Sequence, residues 1–180
     1  MRYRIEAFDP GRHDSKDFRC GSAGQDNFLR RTARRQQRDG YTRLFVATTS
    51  SESAEPRVIL GFYAINAHTI GIADLPVEAA PRPPRSNLIP AVFLSHLAVD
   101  QGHQGQGLGR ILLVDALQQC QRVGQILGVR LLLDVTPEGG EEDQTRLHRF
   151  YATMGIKPLP DRPERLFLPL RDLPSFQPGG

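Results

Sequence analysis

The sequence is short of cysteine, of lysine and of long apolar runs, and each shortage excludes a class of protein. Its two cysteines, Cys20 and Cys120, lie a hundred residues apart and match no CxxC or His/Cys metal spacing. A disulfide framework and a zinc site are therefore not expected, and both are read as buried thiols. No stretch approaches the ~20 apolar residues needed to span a bilayer. The opening MRYRIEAFDP carries charge where a signal peptide needs its apolar segment, so the expected compartment is the cytoplasm, with no membrane association. Two nucleotide signatures are missing as well. There is no G-x-x-x-x-G-K-[ST], and the main glycine-rich junction holds no GxGxxG, which disfavours a nucleotide hydrolase and a dinucleotide dehydrogenase.

What remains is an ordinary globular composition. The 180 residues are 39% apolar and 24% charged, with 17 Gly and 14 Pro that follow no period. That length suits one domain with a real core, expected over residues 1–180 with the core at about 3–170. The formal charge of +3 is unevenly placed, because residues 1–43 hold 11 of the 23 basic side chains and only 6 of the 20 acidic ones. Only Lys16 and Lys157 among the basic residues are lysine. An arginine fork suits bidentate phosphate contact, though genome composition produces the same bias.

Alternating elements predict an α/β fold. Tyr3–Phe8 reads as a strand, 11–25 as polar turns, and Asp26–Arg38 (DNFLRRTARRQQR) as a basic helix ending at Asp39-Gly40. Leu44–Thr48 and Val58–Ala67 read as a hairpin around a polar stretch. Residues 71–90 hold five prolines and read as a loop, and Ala91–Val99 (AVFLSHLAV) as a central strand covered on both faces. The pattern then gives a helix over Arg110–Val123, a strand over Arg130–Val135, a helix over Asp143–Met154 and a last strand over Leu166–Leu170.

The most specific feature is VFLSHLAVDQGHQGQGLGRILLVDAL, a strand running through Gly102, Gly105, Gly107 and Gly109 straight into a helix. That order points backbone N–H groups and the positive end of the helix dipole at one spot, where glycine lets a bulky anion approach. A phosphate is the natural occupant. The segment Gln104-Gly105-Gln106-Gly107-Leu108-Gly109 resembles the Q/R-x-x-G-x-G/A signature of the GNAT acyltransferase superfamily. The resemblance implies a mixed, mostly antiparallel sheet split beside the central strand, with helices on both faces. It implies acetyl-CoA as cosubstrate without a metal. The pyrophosphate would lie on Gln104–Arg110, and the pantetheine arm against the backbone of Leu97, Ala98 and Val99.

Downstream, Phe150-Tyr151-Ala152-Thr153-Met154-Gly155-Ile156 looks like the FYxxxGF element of the same superfamily, with Ile156 at its last position. The resemblance assigns Tyr151 the proton donated to the departing thiolate, a role suited to a phenol. Seven residues earlier Gln144 stands where the superfamily often places a cofactor-contacting Asn. His96 is a candidate base on titration range, set against the commoner buried strand histidine.

Cys20-Gly21, Gln25–Arg31, Gly40–Ala47 and Gly61–Ile65, with LAVD before the glycine loop, look like the toxin subfamily of type II toxin–antitoxin modules over roughly residues 16–170. That resemblance implies transfer of acetyl to the α-amine of aminoacyl-tRNA, inhibition of translation, a ribbon-helix-helix antitoxin as partner and a homodimer. At 100° per residue Arg30, Arg34 and Arg38 form one row of the basic helix and Arg31 and Arg35 the next, a face that fits a polyanion or plain solvent. Two other functions remain open at this stage: acetyl transfer to a small amine or a protein, and a non-catalytic acetyl-CoA- or RNA-binding role.

Overall fold

The computed structural model describes residues 3–50, 56–79, 85–127, 130–134 and 140–169. The chain falls into two compact units, Met1–Asn66 with Ser95–Ala116, and Ala67–Leu94 with Leu117–Gly180. Strands β5 (Gly61–Gly71) and β6 (Leu88–Val99) and helix α3 (Leu108–Leu127) each contribute to both.

In the first unit the strand order is β1-β3-β5-β6. Strand β1 (Tyr3–Ala7) runs antiparallel to β3 (Arg43–Thr49) from Tyr3↔Thr49 to Ala7↔Phe45, and β3 runs antiparallel to β5 from Arg43↔Ile65 to Ala47↔Gly61. A separate two-residue parallel pair joins β2 (His13–Asp14) to β4 (Arg57–Val58). The buried run Gly61–Ile65 marks β5 as covered on both faces. Gly61 shows how closely: a Cβ there would stand 2.8 Å from Leu112 Cδ1 of α3 and 3.1 Å from the carbonyl of Ala98, so a side chain at 61 would displace the Leu112 tip and crowd the β6 backbone. Phe8, Phe18, Phe28, Leu29, Leu44, Val46, Ile59 and Phe62 fill this unit's core.

A helical arm follows the polar turns and packs on the same core. It consists of α1 (Ala23–Asn27), a π-helical stretch (Phe28–Thr32) and α2 (Ala33–Arg38). Ser22 caps it, its Oγ accepting the Gln25 N–H at 3.3 Å. At the other end the Gln37 amide donates to the Phe8 carbonyl at 2.9 Å and accepts the Leu44 N–H at 3.1 Å, which pins the arm to β1 and β3.

In the second unit the order is β5-β6-β7-β9-β8. Strand β7 (Arg130–Asp134) is parallel to β6, while β9 (Arg162–Pro169) is antiparallel to β7 and β8 (Lys157–Leu159) to β9. The α4 helix (Glu141–Ala152) lies in the chain between β7 and the last strands. Ile70, Leu75, Ile89, Ala91, Leu159 and Phe167 form this unit's core.

Several expected bounds shift. The basic helix starts at Ala23, three residues earlier than expected, because Ser22 caps it. Strand β5 starts at Gly61 and runs to Gly71, since Val58 is taken by β4 and the exposed Ala67–Thr69 carry no apolar alternation to announce a strand. The last strand begins at Arg162, where exposed polar residues hide it, and β8 is an addition to the expected elements. Val135, Leu170 and the middle of the proline-rich loop, 80–84, lie outside the described residues.

Candidate active site

The junction from β6 to α3 is built as the sequence implied, with one addition. The parallel ladder from β6 to β7 ends at Phe93↔Leu132, two residues before β7 itself ends, while β6 continues to Val99. The stretch Leu94–Val99 is thus not paired to β7 among the described residues. Asp100 then organises the turn. Its Oδ1 accepts the Gly102 N–H at 3.0 Å and its Oδ2 the Arg19 N–H at 3.0 Å, while the Gln101 N–H returns to the Arg19 carbonyl at 2.7 Å. Sequence reasoning missed Asp100; an Asp two residues before a Gly at a strand's end is the signal that marks it.

Gln104 braces the loop, its Nε2 donating to the carbonyls of Cys20 at 2.8 Å and Val99 at 2.9 Å. Gln106 donates to the Gly102 carbonyl at 3.2 Å. Gly105 and Gly107 have φ of +72° and +82°, and a Cβ at either would meet nothing within 4 Å. Glycine here serves the backbone conformation and leaves the outer side of the loop clear. Helix α3 opens at Leu108 with the N–H groups of Arg110 and Ile111 already bonded to the Gly107 carbonyl, and Arg110 stands exposed in its first turn. Open, positive-φ glycines before the N-terminus of a 20-residue helix are an arrangement suited to an anion, so the residues present fit a pyrophosphate.

Helix α4 carries the second group. Gln144 and His148 stand seven and three residues before Tyr151, a spacing that puts all three on one side of the helix. The Tyr151 side chain is buried, its ring meeting Phe150 edge-on at 5.1 Å, and burial pushes its phenol up to about 12. Such a phenol keeps its proton throughout the neutral range. His148, one turn before it, has a buried Nε2 with no protein partner among the described residues, a polar atom available to a ligand. Sequence reasoning gave His148 no role; its place between Gln144 and Tyr151 was the available signal. Gly155, at φ +77°, ends the helix and turns the chain into β8.

The arginine arm differs from an ideal helical wheel. The π stretch advances the chain by less than 100° per residue, so the five arginines do not share one environment. Arg30 is half-buried with its Nε on the Asp26 carbonyl at 3.1 Å, whereas Arg31, Arg34, Arg35 and Arg38 lie farther out toward solvent. Among the described residues the arm's ion pair is Arg38 with Asp39, at 3.0 Å.

His96 lies flat on Phe28 of the arm, with ring centroids 3.5 Å apart, and burial pushes it down to about 4. Its Nδ1 is 3.0 Å from Ser95 Oγ, which is in turn 2.7 Å from Asn66 Oδ1. It is therefore a neutral ring in a polar chain and is poorly suited to take a proton as a base. Burial also pushes the thiols of Cys20 and Cys120 up to about 12, so neither is a ready nucleophile. Among the described residues no cluster of three or more His, Cys, Asp or Glu side chains could hold a metal ion, and no helix is long and apolar enough to cross a membrane.

The model of the "Acetyltransferase (GNAT) family" matches residues 28–156. A "Probable toxin TacT" of Sinorhizobium fredii is 38% identical over 173 residues, covering 96% of this chain and 93% of the relative. A "tRNA-acetylating toxin" of Mycobacterium tuberculosis is 30% identical, covering 88% and 87%. The solved structure "AtaT complexed with acetyl-methionyl-tRNAfMet" superposes with a TM-score of 0.81 at 26% identity, over 94% of this chain and 96% of that one. The matched span takes in both the β6–α3 glycine loop and the Tyr151 helix, and the chain belongs to the acetyltransferase (GNAT) family.

Proposed function

We propose that this chain is a toxin that transfers the acetyl group of acetyl-CoA to the α-amine of an aminoacyl-tRNA and so stops translation in the cytoplasm. The observation that carries the reading is the β6–α3 junction, where a strand released from its parallel partner runs into open, positive-φ glycines at a helix N-terminus. Toxins that resemble this chain along nearly its whole length, one of them tRNA-acetylating by name, give the acceptor. Both units are read as parts of one domain, because β5, β6 and α3 pass through both and the family match spans them.

When bound, acetyl-CoA supplies an activated thioester. The Gln104–Arg110 loop holds its pyrophosphate, through the N–H groups at its glycines and the exposed Arg110 side chain, and the backbone of Leu97, Ala98 and Val99 aligns its pantetheine arm. Gln144 and the unpartnered His148 Nε2 offer polar contacts along the Tyr151 side of α4. The amine attacks the thioester carbonyl directly, and Tyr151 Oη gives its proton to the departing thiolate. Two high-pKa thiols argue against an acyl-cysteine route. Water takes the proton the amine loses on attack and returns one to the Tyr151 phenolate; near pH 8 about half of an α-amine is already neutral and able to attack. Arg30, Arg31, Arg34, Arg35 and Arg38 hold RNA phosphates. A ribbon-helix-helix antitoxin and a second copy of the chain are the expected protein partners.

Cell-free translation tests the reading. Wild-type protein is expected to stop synthesis only when acetyl-CoA is present, and Tyr151→Phe to leave synthesis running. Inhibition without acetyl-CoA, or undiminished in Tyr151→Phe, contradicts it.

A further inference from the structure

The arm ends at a residue the proposed chemistry does not use. Tyr41 is 72% exposed, the one aromatic among the exposed large apolar side chains of the described residues. Exposed tyrosines are common, but this one is held by its backbone on both sides. Its N–H bonds the Gln36 carbonyl at 2.9 Å and its carbonyl accepts Asn66 Nδ2 at 2.8 Å. Before it, Gly40 at φ +81° closes the arm; after it, Thr42 is buried with its Oγ1 on the Ile65 carbonyl at 3.2 Å. The sequence exposed Tyr41, buried Thr42, exposed Arg43 turns the ring and the Arg43 side chain outward together. Arg34, Arg35 and Arg38, on the last turns of the arm, precede them closely in the chain. The same Asn66 also bonds Ser95, two residues before Leu97 on β6, so the clamp on Tyr41 reaches the strand assigned to the donor.

We propose that Tyr41 is a stacking platform for an unpaired nucleobase of the RNA whose phosphates the arm's arginines hold; this rests on aminoacyl-tRNA being the acceptor. Cations beside a presented aromatic face are the combination that binds single-stranded nucleic acid, phosphates going to the arginines and a base to the ring. A duplex hides its base faces, so the ligand is an unpaired end or loop. An acidic protein segment would match the arginines and leave the ring face unused. With its backbone fixed, only the ring's two side-chain torsions are left to order on binding.

The chain contains no tryptophan, so Tyr41→Trp installs a single tryptophan, excited selectively at about 295 nm, at the proposed contact. The expected result is that uncharged tRNA and a single-stranded RNA hexamer quench its emission by more than half, while a duplex RNA of the same length and polyglutamate leave it unchanged. In steady-state assays Tyr41→Ala is expected to raise KM for aminoacyl-tRNA about tenfold. The value of kcat and the KM for acetyl-CoA stay at wild type, and Tyr41→Phe behaves as wild type because stacking needs the ring face and not the hydroxyl. Equal quenching by polyglutamate, or a KM within twofold of wild type in Tyr41→Ala, overturns the proposal. Should the wild-type protein acetylate no aminoacyl-tRNA, the acceptor reading falls, and the quenching series still decides the stacking by itself.

Discussion

Tyr41 and Tyr151, one in each unit, present the same side chain in opposite settings. Tyr41 stands 72% exposed on a backbone clamped by Gln36 and Asn66, whereas Tyr151 is 7% exposed on α4 with its phenol pushed up to about 12 by burial. Burial holds a proton in place for chemistry and hides the ring; exposure offers the ring and leaves the hydroxyl to water. The two regions differ in charge in the same sense. The arm before Tyr41 is arginine-rich, while the first turn of α4 holds Glu141, Glu142 and Asp143, which favour that helix's N-terminus. Recognition and proton transfer, as proposed, lie in different units, and substitutions should separate them.

The largest separation is expected at Tyr151. Tyr151→Phe should lower the single-turnover acetylation rate by about a hundredfold or more, the usual worth of a general acid, with KM for tRNA unchanged. Next comes the loop. Gly107→Val forces a β-branched residue to φ +82° and puts a side chain on the open side of the loop, so acetyl-CoA affinity by calorimetry should fall more than tenfold. RNA binding should be retained. Arg34→Gln with Arg35→Gln should act on the other side of the comparison. The double substitution should raise KM for tRNA several-fold and make the salt dependence of binding shallower by about one unit of slope for each phosphate no longer neutralised.

The smallest effect is on stability. Burial depresses the His96 pKa from 6.5 to about 4, so between those values the unfolded chain binds more protons than the folded one. Stability is therefore full above about pH 6.5 and declines as pH falls toward 4, an effect that solvent reaching the ring reduces. His96→Asn should flatten that slope in urea melts at pH 7 and pH 5. Glu6 acts in a lower window. Burial alone would raise its pKa, but hydrogen bonds from His13 and Arg57 and the charges of Arg4 and Arg57 outweigh it and leave it below 4.5. Its contribution is present above pH 4.5 and lost as pH falls further.

The same contrast explains what could be read in the sequence. The β6–α3 junction was legible because an apolar run, a glycine cluster and a helical stripe follow one another within some thirty residues. Tyr151 was legible because its neighbours Phe150 and Gly155 are close to it in the chain. The π stretch at Phe28–Thr32 was not, since DNFLRRTARRQQR reads as plain α-helix and the wider turn accompanies the packing of Phe28 and Leu29 into the core. Asn66 and Ser95 are 29 residues apart, and nothing local announces that they share a hydrogen bond or that Asn66 clamps Tyr41. Strands β8 and β9 were hidden or shortened because exposed Arg162–Glu164 and Lys157-Pro158 erase the alternation that marks a strand.

Mass spectrometry of the tRNA itself tests the central claim most directly. Aminoacyl-tRNA is incubated with acetyl-CoA and either wild-type protein or Tyr151→Phe, then digested to its terminal aminoacyl-adenosine. The account predicts an acetyl group on the α-amine with wild type and little or none with Tyr151→Phe over the same interval. Unmodified aminoacyl-adenosine with wild type, alongside acetylation of a small amine or a protein N-terminus, would contradict it and leave the arginine arm without its proposed ligand.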